Sequence, residues 1–254
     1  MNPSRNTLFL SMCLLILASC STKEAPPNVL LLIIDTVNAK HLGCYGYERN
    51  TSPFIDSLAS SGIRYANCQA QAPWTLPGTA TILTGLTERS HGCSRYGGVS
   101  HGLDPEVPTL ASILGSRGYT TATFVNNGYL GPDFGLDRGY GSYWMGKDSI
   151  DYAHVTMDSA MHFLDTLATG RPFYLKLHLI DPHLPYDPPA PFDTLFKSTG
   201  TAGYTVWPSS SELWSRQAVI DHMRAMYDSE LRWTDSQLER LFSTSVTKGW
   251  LRTH

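Results

Sequence analysis

Four side chains in this 254-residue chain stand where chemistry could be done. Asp35 follows directly on the apolar run NVLLLII at residues 28–34. A carboxylate at the mouth of a buried strand either caps the next turn or ligates a hard cation. Thr75 stands in APWTLPGTATILTG, where an irregular stretch gives way to a helix with Pro77 in its first turn. As a cap, its hydroxyl would accept an N–H from the second or third helical residue. As a nucleophile it would sit in the same place, because the free N–H groups and dipole of a helix N-terminus favour an anionic sulfate or phosphate beside it. The local sequence supports both readings. His178 and His183 lie in HLIDPHLPYDPP, beside Asp181 and a run of prolines. Two histidines in that setting, just past an apolar strand, read as a rigid functional loop.

These groups need elements to position them, and the chain alternates strand and helix signals. Residues 28–34 are almost continuously apolar, as expected of a strand buried on both faces of a parallel sheet. Residues 51–62, TSPFIDSLASSG, carry a Thr/Ser cap, a first-turn Pro, a helical set of apolar residues and a closing Gly. Leu110, Ile113 and Leu114 repeat the helical spacing before Gly118, and residues 119–125 read as the next strand. Residues 150–167 predict a helix, PFYLKLHLI at 172–180 a strand, and residues 217–242 a long helix. The sum is a mostly parallel α/β sheet covered by helices, with functional groups at the carboxyl ends of its strands.

Composition narrows the partners and the compartment. A formal charge of −3 with 16% charged residues leaves no basic stripe, so nucleic acid is not expected as a partner. Arg5 and the apolar run LFLSMCLLILA make a secretory signal too short to span a bilayer. The signal closes with Leu17-Ala18-Ser19-Cys20, which resembles the lipobox of bacterial lipoproteins and makes Cys20 the expected lipidation site. Residues 1–19 are thus read as signal peptide and 20–27 as a polar, Pro-rich tether. The expected location is lipid-anchored on the periplasmic side or the cell surface. Cys44, Cys68 and Cys93 remain, and one disulfide plus one free thiol is compatible with that location.

From Pro27 to Leu86, PNVLLLIIDTVNAKHLGCYGYERNTSPFIDSLASSGIRYANCQAQAPWTLPGTATILTGL resembles the N-terminal part of the sulfatase family of the alkaline-phosphatase superfamily. The resemblance continues in order through VPTLASILGSRGYTTATFVNN, FGLDRGYGSYW, FYLKLHLIDPHLPYDPP and YDSELRWTDSQLERLF. It implies an alkaline-phosphatase-like sandwich with a large, mostly parallel mixed sheet flanked by helices. Residues 28–254 would be the N-terminal portion of the catalytic domain, apparently truncated at the C-terminus. The implied chemistry is hydrolysis of sulfate or phosphate esters by a metal-activated nucleophile.

Carried over by position, the resemblance makes Asp35 and Thr75 metal-binding, with Thr75 also in the nucleophile register. His183 matches a substrate-facing histidine, and His178 is taken as substrate-binding beside it. Asn127 stands where a family lysine would contact the ester, so it is assigned to substrate binding and catalysis. The departures are specific. Thr36 replaces the second aspartate of the usual pair, Thr79 the motif arginine, and Tyr129 a further histidine. Thr75 replaces the Cys or Ser that sulfatases convert to formylglycine, and a threonine cannot become that aldehyde by the same oxidation. The family's Ser-Asp-His/Asn-Gly ligand motif is not found, and Asp221-His222 lies inside a helical stretch where it cannot serve.

Three readings therefore stand. The first is a sulfatase-family hydrolase, with calcium as its ion and a sulfated or phosphorylated small molecule or glycan as substrate. The second is a zinc-, manganese- or magnesium-dependent phosphodiesterase or phosphotransferase with a threonine nucleophile. The third is a non-catalytic sulfatase-like lipoprotein that at most binds such a glycan.

Overall fold

The computed structural model describes residues 26–146, 153–167, 170–196 and 216–250. The signal, Cys20 and most of the tether lie outside the described residues, as does the start of the helix expected from residue 150.

Four parallel strands form the central sheet in the order β1 (Val29–Ile34), β6 (Phe173–Leu179), β4 (Thr120–Val125), β5 (Ser142–Met145). A separate antiparallel hairpin pairs β2 (Ser94–Tyr96) with β3 (Val99–His101). The helices are α1 (Pro53–Ser61), α2 (Thr75–Thr84), the single turn α3 (Glu88–His91), α4 (Leu110–Ser116), α5 (Ala153–Asp165) and α6 (Gln217–Thr247). The mostly parallel α/β architecture expected from the sequence is the one observed.

The register brings Ile34 opposite Leu179, and Val125 opposite both His178 and Met145. The carboxyl ends of the strands thus finish together, and the residues that follow them share one edge of the sheet. Strand alternation then sorts β6 into two faces. Phe173, Leu175, Leu177 and Leu179 pack into a core with Met157, Ala160 and Leu164 of α5 and Leu238 and Leu241 of α6. Leu76, Ala80 and Leu83 of α2 build a second core with Val125, Leu130 and Leu136. Each such buried leucine contributes roughly 1.5–3 kcal/mol. The intervening residues of β6, Tyr174, Lys176 and His178, are just as buried. The central strand therefore carries a polar stripe inside the fold.

Three expectations are corrected. Strand β1 is half-buried along its whole length because it lies at the sheet's edge among the described residues; the doubly covered strand is β6. The α1 N-terminus is not capped by Thr51 or Ser52. Its Phe54 and Ile55 N–H groups donate to the buried carboxylate of Asp235 on α6, at 3.0 and 2.8 Å, while the Ser52 hydroxyl donates to Asp56. The last helix runs to Thr247, beyond the end expected at residue 242. The described cysteines Cys44, Cys68 and Cys93 are all free thiols, so no disulfide joins them.

Candidate functional site

The site forms where β1 ends. Asp35 extends the ladder by one bond, its N–H donating to the Leu179 carbonyl at 2.9 Å, and its carboxylate projects from the sheet edge. Oδ2 of that carboxylate accepts from two directions. The Thr75 hydroxyl donates at 3.0 Å and the His178 Nε2 group lies at 3.3 Å. Burial pushes the Asp35 carboxyl up, but the hydrogen bonds from His178 and Thr75 and the nearby His183 outweigh it and hold the group below the usual carboxylate range. The arrangement favours the ionised carboxylate.

His178 is held neutral by its burial, reinforced by the charge of Lys176 and opposed by Asp35. Its Nδ1 is buried without a partner among the described residues, which assigns the ring proton to Nε2, aimed at Asp35. Lys176 lies two residues earlier on the same face of β6. Its ammonium is completely buried, finds no hydrogen-bond partner among the described residues, and sits 5.7 Å from the Tyr140 ring centroid. Burial brings its pKa down to about 7.

Thr75 begins α2 as the first helical residue, with Trp74 at the cap position and no side-chain cap bond. The capping reading is therefore set aside: the hydroxyl turns away from the helix amides to Asp35. The turn after Asp35 is also unusual. Thr36 has φ of 55°, a region that β-branched residues avoid, and is the one non-glycine residue with positive φ among those described. The Tyr227 hydroxyl of α6 holds it there, donating to the Thr36 carbonyl at 2.9 Å and accepting from the Asn38 N–H at 2.8 Å. Strain of this kind marks a turn that the surrounding structure enforces.

His183 lies in the loop after β6, exposed, close enough for its charge to act on Asp35. Its Nδ1 donates to the Leu184 carbonyl at 2.7 Å, which fixes the ring and leaves Nε2 for a ligand. Asn127 follows β4 at the same sheet edge, and its Oδ1 accepts from the Tyr129 N–H at 3.0 Å to cap the turn Gly128–Leu130. Only its amide Nδ2 is left for a substrate. An edge-on contact of Trp74 with Tyr129, 5.4 Å between centroids, ties this turn to the start of α2.

The structure thus joins Asp35, Thr75 and His178 directly, and places His183 and Asn127 around them. Asp221 and His222 fall within α6, as their helical setting predicted. Residues that sequence reasoning passed over are Lys176, Tyr227 and Glu230. The period-two polar stripe Tyr174, Lys176, His178 within an otherwise apolar strand is the signal that could have found the first.

A hard cation takes about six oxygen ligands. Here Asp35 and Thr75 give two oxygen-bearing side chains, and Asp35 Oδ2 is already shared with His178. Among the described residues, no group of three or more His, Cys, Asp or Glu side chains could hold a metal. The described side chains do not by themselves make a complete cation site.

The sequence model of the sulfatase family matches residues 27–249. The N-acetylglucosamine-6-O-sulfatase of Bacteroides thetaiotaomicron is 27% identical over 233 residues, 84% of this chain and 40% of that protein. The steryl-sulfatase of Mus musculus is 37% identical over 105 residues, 38% of this chain and 17% of the relative. The solved phosphonate monoester hydrolase of Agrobacterium radiobacter superposes with a TM-score of 0.73 at 18% identity, over 88% of this chain and 60% of its own. A protein solved in complex with its substrate D-glucosamine-2-N,6-O-disulfate gives 0.70 at 17% identity, over 88% and 63%. The chain spans less than two thirds of the length of each. No described helix is long and apolar enough to cross a membrane.

Proposed function

The chain belongs to the sulfatase family, and from that membership we propose that it is the nucleophile-bearing part of a hydrolase of sulfate or phosphate esters, with Thr75 as the attacking residue. The observation that supports this is the Thr75 to Asp35 hydrogen bond at the start of α2. It orients one hydroxyl, at a helix N-terminus, in front of an ionised carboxylate at the mouth of the sheet.

On attack, the Thr75 oxygen forms the bond to sulfur or phosphorus while the bond to the ester oxygen breaks. The hydroxyl proton passes to the Asp35 oxygen it already touches, and the ester oxygen leaves with the Nε2 proton of His183 in its imidazolium form, whose Nδ1–H stays on the Leu184 carbonyl. Asn127 Nδ2 binds a non-bridging oxygen of the ester. His178 holds the Asp35 carboxylate in place throughout. Asp35 is a weak base because its pKa is depressed, so these side chains alone would turn over slowly. The divalent cation that family resemblance implies would acidify the hydroxyl further, with calcium the sulfatase choice and zinc, manganese or magnesium the phosphotransferase one.

The threonine itself favours the second, phosphoryl-directed reading within this class. A secondary alcohol cannot give the formylglycine aldehyde, whereas direct attack by a hydroxyl on phosphorus needs no such conversion. The substrate class is a sulfated or phosphorylated small molecule or glycan, in keeping with a relative that acts on N-acetylglucosamine 6-sulfate by its name. Export and lipid anchoring at Cys20 belong to the same proposal and rest on the signal and lipobox in the sequence.

The test is to incubate the full chain with divalent ions and an aryl sulfate, an aryl phosphate or an aryl phosphodiester, quench it, and weigh its peptides. The expected result is a sulfuryl or phosphoryl group on the peptide containing Thr75, absent in Thr75→Ala together with turnover. Undiminished turnover in Thr75→Ala overturns the nucleophile assignment. Retention of a sulfated glycan without turnover of any ester replaces the hydrolase reading with the binding one.

A further inference from the structure

The loop carrying His183 is clamped to α6 by a buried carboxyl pair. Glu230 Oε1 accepts from the Asp187 N–H at 2.7 Å, four residues past His183. Asp181, two residues before His183, lies within hydrogen-bonding reach of Glu230, and its own Oδ2 accepts from the Ala153 N–H at the start of α5 at 3.0 Å. Both carboxyls are almost fully buried, Asp181 at 4% exposure and Glu230 at 3%. One turn earlier on α6, the Tyr227 ring meets Tyr186 of the same loop edge-on, 5.8 Å between centroids. The loop is therefore gripped on both sides of His183 by a single helix face.

Two buried carboxyls within hydrogen-bonding reach of each other do not both ionise readily. Glu230 Oε2 is buried with no donor directed at it among the described residues, so the pair closes only when one of the two carries a proton. Burial and the neighbouring Asp181 charge raise the Glu230 carboxyl to about 8, and burial also raises Asp181. The other groups facing the pair are the Asp187 carboxylate from the loop, which opposes ionisation of Glu230, the Tyr186 phenol, which the Glu230 charge keeps protonated, and His154 from α5, whose charge favours ionised Asp181.

We infer that Glu230 is a positioning residue for His183, acting through a proton shared with Asp181 that locks the loop. The inference rests on His183 facing the substrate, as in the proposed function. When the shared proton is lost, like charges meet in a dry pocket, the loop must part from α6, and His183 moves away from Asp35.

The experiment reads His183 directly and needs no turnover. In the full chain labelled at histidine, the ring carbon signal of His183, assigned by its loss in His183→Ala, is followed by NMR from pH 5.5 to pH 9.5. Expected for the unmodified chain is an alkaline inflection near the Glu230 value of about 8. Glu230→Gln keeps a neutral hydrogen-bonding side chain of the same shape, and should remove the alkaline inflection. Glu230→Ala should displace it at every pH; if that variant does not fold, Asp181→Asn takes its place and should abolish the alkaline inflection. The inference is overturned if Glu230→Gln shows the same inflection as the unmodified chain, or if no inflection exists. Because no ester is turned over, failure of the hydrolase reading appears in the peptide masses and failure of this inference in the His183 signal.

Discussion

The Tyr227 hydroxyl donates to the carbonyl of Thr36 at 2.9 Å, and Thr36 is held at a φ of 55° immediately after Asp35. One phenol thus fixes the strained turn that aims the candidate carboxylate. Tyr227→Phe removes the donor to Thr36 and the acceptor of Asn38, and is expected to cost about 1–3 kcal/mol in urea unfolding. Thr36→Gly relieves the left-handed strain at some cost in chain entropy, for a net gain of about 0.5–1 kcal/mol. Stability unchanged in both variants would mean that the turn is not strained.

Thr75 spends its hydroxyl on Asp35 rather than on the α2 amides, so Thr75→Ala should be mild for folding. Loss of one part-buried hydrogen bond costs about 0.5–1.5 kcal/mol. Thr75→Ser restores the bond and, in the proposed mechanism, the nucleophile. Denaturation and ester turnover measured together on both variants separate the two roles: activity should vanish in Ala and persist in Ser while stability differs little.

Asp35 and Thr75 supply only two oxygen-bearing side chains to a cation, so the described residues should bind calcium or magnesium weakly. Dissociation constants of about 10⁻⁴–10⁻³ M or weaker are expected by calorimetry, as for sparse oxygen sites. Asp35→Asn should abolish whatever binding is seen, and Thr75→Ala should weaken it. Tight binding that survives Asp35→Asn would place the ion elsewhere.

The N-terminus of α1 gives a comparison of local and distant caps. Asp235→Ala leaves the Phe54 and Ile55 N–H groups without their acceptor and should cost about 2–3 kcal/mol. Ser52→Ala, at the position the sequence nominates, removes no cap bond but takes the acceptor from the Gly43 N–H, and should cost about 1 kcal/mol. Thermal unfolding of the two variants decides between them.

That comparison shows what the sequence could and could not disclose. Helix α1 was legible from its apolar spacing and Pro53, but its cap is Asp235, 180 residues from Ile55. Strands β1, β4 and β6 were legible from apolar runs, yet which of them is doubly covered depends on sheet order, which an apolar run does not encode. Asp35, Thr75 and His183 were reached by family pattern and by their place at element ends. Tyr227 and Glu230 were not, because on α6 they look like ordinary members of an amphipathic helix. Their meaning lies in two loops more than 40 residues away that the fold brings to them.

Lys176 offers the sharpest test of the polar stripe inside β6. Its pKa falls from 10.5 to about 7 through burial, so the folded state favours the neutral amine while the unfolded chain keeps the ammonium. Below pH 7 both states are protonated and the fold bears the full cost of a buried cation with no hydrogen-bond partner among the described residues. Between about 7 and 10.5 the unfolded state binds more protons, so stability from this group rises with pH. Lys176→Met keeps the length and removes the charge, and should stabilise the protein by on the order of 3 kcal/mol at pH 6–7. The gain should shrink steadily toward pH 10 when unfolding is followed by circular dichroism. A pH-independent difference would show that the ammonium is paired or hydrated, and that His178 owes its neutrality to burial alone.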